Sequence, residues 1–65
     1  MITITINGMK RQFDATKITR KIVMDMAGVS QSQDPVVTQD GSLMENGRVY
    51  TVHPGDSFEV VTEAD

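Results

Sequence analysis

The 65-residue chain contains no cysteine and no tryptophan, and it has one histidine and two prolines. Without cysteine there is no disulfide to brace the fold and no thiolate to hold a metal. With His53 as the lone histidine, a Cys/His metal cluster is excluded, and no cofactor is expected. A chain this short buries only roughly 60% of the surface its unfolded form exposes, so its stability must come from one small core. The lack of cysteine also fits a cytoplasmic location. No apolar run is long enough to cross a bilayer, and Met1–Ile6 opens the chain with neither the basic segment nor the apolar stretch of a signal peptide. A membrane is therefore not an expected partner.

Nucleic acid is not expected either. The net charge is −3, and aromatic residues make up 5% of the chain, with no run of them interleaved among the basic residues to stack on bases. The charge is unevenly spread. Lys10, Arg11, Lys17, Arg20 and Lys21 are opposed only by Asp14, so the first 21 residues carry +4 and the remaining 44 carry −7. Such a split either orients the molecule toward a charged partner or is simply a solvated surface of mixed charge.

The apolar residues that are present fall into a clear pattern. Ile2-Thr3-Ile4-Thr5-Ile6 alternates strictly, as a half-buried strand does. Asn7-Gly8 follows, a dipeptide suited to the positive φ angles of a tight hairpin turn. A second strand is expected over Met9–Phe13, with Ile6 opposite Met9, Ile4 opposite Arg11 and Ile2 opposite Phe13. Arg11 then falls on the apolar face. It marks either a sheet edge, where an inward charge discourages aggregation, or a bulge; the edge is the preferred reading.

Asp14 and Thr16 are good caps, and a helix is expected over Lys17–Ala27, ended by Gly28. Its apolar stripe reads Ile18, Ile22, Met26, Val29, flanked by Val23 and Ala27, with Met24 off the stripe and exposed. Three short extended segments are expected next, at Pro35–Thr38, Leu43-Met44 and Arg48–Val52. They are divided by Asp40-Gly41 and Asn46-Gly47, and His53-Pro54-Gly55-Asp56 makes a turn before a last strand from Ser57 to about Thr62. Only the helix can cover the apolar face of the hairpin. The expected fold class is therefore α+β, a mixed sheet packed on one helix, as a single domain over residues 1–65.

In this order and spacing the chain resembles the ubiquitin-like β-grasp superfamily over essentially its whole length, and within it the bacterial multiubiquitin-type domains. The likeness rests on Ile4-Thr5-Ile6-Asn7-Gly8, on Phe13-Asp14, on Thr16-Lys17-Ile18-Thr19 and on Ala27-Gly28-Val29. The resemblance implies a non-enzymatic protein modifier or carrier that works with separate activating and conjugating enzymes. Carriers of the superfamily end in Gly-Gly, because their carboxylate is adenylated at the end of a narrow channel. Here the sequence runs Val61-Thr62-Glu63-Ala64-Asp65, with no glycine after Gly55. Asp65, or an upstream residue exposed by cleavage, is the candidate conjugation terminus.

The alternative is a non-covalent interaction module that binds through its open sheet face. The strand alternation puts Thr3, Thr5, Lys10, Gln12, Glu59, Val61 and Glu63 outward, and the resemblance makes that face the binding surface. Val37 or Val36, with Met44, would extend it around Val61; Val37 is assigned to the binding set. His53 has no nucleophile beside it and reads as a turn residue, not a catalytic one. Glu59 and Glu63 fall on one strand face in open water, and the two Asp/Asn-Gly pairs lack the ligand spacing of a calcium loop. No catalytic residues are expected, and the chain is expected to be a monomer.

Overall fold

The computed structural model describes residues 1–62. Two strands, β1 (Ile2–Ile6) and β2 (Met9–Phe13), form an antiparallel hairpin in the expected register, Ile6 opposite Met9 and Ile4 opposite Arg11. Asn7 at φ 53° and Gly8 at φ 80° supply the two positive angles that a two-residue turn of this twist requires. There is no bulge within this register. Arg11 is exposed because β2 is an edge strand.

The remaining strands are β3 (Lys17–Thr19), β4 (Val36–Gln39), β5 (Ser42–Leu43), β6 (Val49–Thr51) and β7 (Ser57–Val61). Among the described residues, the main sheet has the order β2-β1-β7-β4-β5, and β3 pairs with β6 in a separate two-stranded ribbon. Strand β7 runs parallel to β1, with Ile6 opposite Phe58, and antiparallel to β4, with Val37 opposite Val60. One helix, α1 (Arg20–Ala27), crosses the inner face of this sheet.

The helix starts later than the sequence pattern suggests. Lys17-Ile18-Thr19 is extended, with Ile18 paired to Tyr50, and Thr19 is the cap that accepts the Ile22 N–H at 3.3 Å. Neither Asp14 nor Thr16 caps α1. Moving the start to Arg20 rotates the buried stripe, so Val23 and Met24 face the core while Ile22 is partly exposed. Ile18 still reaches the core, but from a strand. Gly28 ends α1 at φ 74°, and the Val29 N–H bonds the Met24 carbonyl behind it.

The core combines Ile4 and Ile6 from β1, Phe58 and Val60 from β7, Val37 from β4, and Ile18, Val23, Met24, Met44 and Val52 around them. Full burial of side chains such as Phe58 or Ile4 contributes about 1.5–3 kcal/mol each, which is how so short a chain holds together. Arg20 adds a polar tie, its Nη2 donating to the Pro35 carbonyl at 2.6 Å and holding α1 to the start of β4.

Candidate functional site

The helix covers one side of the sheet and leaves the other open. Directly opposed residues share a face, so the registers fix what the open side presents. Lys10 and Gln12 come from β2, Thr3 and Thr5 from β1, Ser57, Glu59 and Val61 from β7, Val36 and Thr38 from β4, and Leu43 from β5. Of the residues expected on the binding face, Thr3, Thr5, Lys10, Gln12, Glu59 and Val61 therefore lie together on it. Gln12 Nε2 lies 3.5 Å from Thr3 Oγ1, a long contact between neighbouring strands.

Val37 is the correction. It is fully buried opposite Val60, because strand alternation sends Val36, not Val37, outward. Met44 is also buried and is not part of the face. Val36 stands directly opposite Val61, and the two are 51% and 55% exposed, so they form a cross-strand apolar pair open to solvent. Leu43 lies diagonal to Val36 across β4 and is exposed as well. The face is thus apolar toward β4 and β5, carries Glu59 at its middle strand and Lys10 at its β2 edge. Glu63 and Asp65 lie outside the described residues.

A second cluster lies at the turn before β7, where Asp56 is buried. Its Oδ2 accepts the His53 backbone N–H at 2.8 Å and the Gln39 Nε2 at 3.0 Å, and His53 Nδ1 lies 3.8 Å away. Burial works to raise the carboxyl pKa. The hydrogen bonds donated by the His53 backbone and the Gln39 side chain, with smaller contributions from neighbouring Asp40 and the nearby imidazole, outweigh it and hold the pKa below the ordinary value of 3.8. Gln39 also donates to the Thr51 carbonyl at 2.8 Å, joining β4, β6 and the turn. The sequence pattern missed this role, since a Pro-Gly-Asp turn reads as exposed. The one available signal was that a short acceptor side chain after such a turn can reach back to its first N–H.

His53 itself is largely exposed. Among the described residues there is no cluster of three or more His, Cys, Asp or Glu side chains able to hold a metal, and no concave pocket. None of their helices is long and apolar enough to cross a membrane. The geometry offers surfaces for recognition.

No family model matches the chain, and no curated protein matches it. Among solved structures, the crystal structure of a thiamine biosynthesis protein (ThiS) from Geobacter metallireducens superposes with a TM-score of 0.68 at 20% identity, covering 98% of this chain and 97% of that one. With hairpin, helix, parallel β1–β7 pairing and whole-chain superposition agreeing, this chain has the ubiquitin-like β-grasp fold.

Proposed function

We propose that this chain is a small bacterial ubiquitin-like carrier or modifier, cytoplasmic and monomeric, that works with separate activating and conjugating enzymes and catalyses nothing itself. The observation behind this reading is the superposition on the ThiS crystal structure, which spans nearly all of both chains. The chemistry asked of the chain is small. A partner enzyme joins a C-terminal carboxylate to the α-phosphorus of ATP with release of pyrophosphate, and a thiol or amine then displaces AMP. The carboxylate in question is that of Asp65 or of an upstream residue exposed by cleavage. The fold would supply a rigid body for the enzyme to hold. The test is intact-mass and peptide mass spectrometry of the protein isolated from cells that contain the partner enzymes. Adducts at the C-terminal carboxylate are expected; recovery of free carboxylate alone would sink the proposal.

A second reading is favoured by the exposed Val36–Val61 pair: a non-covalent interaction module that docks through the open face bearing Thr3, Thr5, Lys10, Gln12, Glu59 and Val61. It expects Val36→Asp with Val61→Asp to abolish partner capture, and removal of residues 63–65 to leave capture intact. The carrier reading expects that removal to end transfer.

A further inference from the structure

Three turns place an Asp or Asn directly before glycine: Asn7-Gly8, Asp40-Gly41 and Asn46-Gly47. Such pairs carry latent chemistry. The glycine backbone nitrogen can attack the preceding side-chain carbonyl carbon, and glycine has no side chain to keep it away. All of these residues are exposed, so access to water does not separate the three turns. The side-chain oxygen does. Asn7 Oδ1 accepts the Val60 N–H at 2.8 Å, and the Asn7 N–H bonds the Phe58 carbonyl at 2.9 Å. Asp40 Oδ1 accepts the Ser57 N–H at 2.9 Å, and the Asp40 N–H bonds the Ser57 carbonyl at 2.7 Å. Both residues are thus pinned to β7 by backbone and side chain together, in the left-handed conformation at φ 53° and 49°.

Asn46 has no such restraint. Among the described residues its side-chain amide makes no hydrogen bond, and the backbone bond that closes its turn, Arg48 N–H to the Glu45 carbonyl, is long at 3.4 Å. The exposed Arg48–Glu45 ion pair across the turn adds little. The Asn46 side chain can therefore swing toward the Gly47 nitrogen without giving up a bond. Asn7 must first release the Val60 N–H and leave it unpaired beside the core. We propose that Asn46 is a self-modification site, at which the chain converts its own side-chain amide to a carboxylate through a succinimide. The Gly47 nitrogen loses its proton and bonds to Asn46 Cγ, while the Cγ–Nδ2 bond breaks and ammonia leaves. Water then opens the ring. Attack at the side-chain carbonyl gives aspartate, and attack at the Asn46 backbone carbonyl gives isoaspartate. In sum, amide and water become carboxylate and ammonium. The net charge goes from −3 to −4, one charge more negative, through a new carboxylate beside Glu45. No core residue lies within the turn from Glu45 to Arg48, so the modified chain keeps its fold.

The test holds the folded full chain in warm, mildly alkaline buffer and follows it by peptide mass spectrometry, with aspartate and isoaspartate forms separated by chromatography. Asn46 is expected to give both products, at least roughly tenfold faster than Asn7 converts or Asp40 isomerises, because only the latter two must first break a hydrogen bond. The rate is expected to rise with pH, since the attacking nitrogen must shed its proton. In concentrated urea, where the bonds to β7 are gone, Asn7 and Asn46 are expected to convert at similar rates. Asn46→Gln, which would have to close a larger ring, is expected to lose the product at that position and leave the Asn7 rate unchanged. Three results would each overturn the proposal: Asn7 converting as fast as Asn46 in the folded chain, the gap between them persisting in urea, or Asn46 staying intact when folded while it converts in urea.

Discussion

Asp56 and His53 are joined across the Pro54-Gly55 turn by a 2.8 Å hydrogen bond from the His53 backbone N–H to the buried Asp56 carboxylate. The same oxygen holds Gln39, so one carboxylate ties the entry of β7 to the end of β4. Replacing it with Asp56→Ala leaves the His53 N–H without its acceptor and takes one of two acceptors from the Gln39 amide, which keeps the Thr51 carbonyl. The expected cost is about 2–3 kcal/mol, a fall in melting temperature on the order of 10–20 °C for a domain of this size, read by thermal unfolding.

The same carboxylate makes stability depend on acid. Its folded-state pKa lies below 3.8, so the unfolded chain takes up the proton first as pH falls. The contribution is complete above the unfolded value, declines as pH drops below about 4, and is gone beneath the lower folded value. Melting curves from pH 7 to pH 2 are expected to show wild type losing this increment while Asp56→Asn does not. Parallel declines in the two proteins would disprove the assignment.

The helix phase is tested by a pair of substitutions. Met24→Ala removes a buried side chain and is expected to cost about 2–5 kcal/mol. Ile22→Ala, at a partly exposed position, is expected to cost less than about 1 kcal/mol. The Lys17–Ala27 helix expected from the sequence would reverse that order, so denaturant midpoints of the two variants decide it.

That reversal shows where legibility stopped. The β1–β2 hairpin could be read because its strands are adjacent and Asn7-Gly8 sets the register locally. The β3–β6 ribbon could not. Lys17-Ile18-Thr19 becomes a strand only by pairing with Val49-Tyr50-Thr51, a distant partner that periodicity does not reveal. Ile18 and Ile22 stand four residues apart and so imitate a helix face. The open face was legible where alternation was anchored, at Thr3, Thr5, Lys10, Gln12, Glu59 and Val61. It failed at β4, where Val36-Val37 offers two apolar neighbours and only the sheet register decides which points out.

The consequence for β4 can be measured. Val36→Asp is expected to change stability by no more than about 0.5 kcal/mol, as at other open surface positions. Val37→Asp places an unpaired charge in the core and is expected to leave the chain unfolded by circular dichroism. A folded Val37→Asp protein would mean that β4 is shifted by one residue.

The αL cap of α1 gives a smaller, separable effect. A Cβ at Gly28 would meet nothing within 4 Å, so Gly28→Ala carries only the conformational penalty of φ 74°. The expected loss is about 1 kcal/mol, and Gly28→Asn is expected to recover part of it, as read by urea midpoints.

The placement of β7 has a further consequence for the life of the chain. Among the described residues, the strand furthest along the chain is the one to which β1 and β4 both bond, and Val60 N–H reaches back 2.8 Å to Asn7 Oδ1 in the first turn. A nascent chain can form its hairpin early, but the two halves of the sheet have nothing to share until β7 emerges. The main sheet therefore closes only once β7 is available, and a fragment cut short before Ser57 keeps open strand edges.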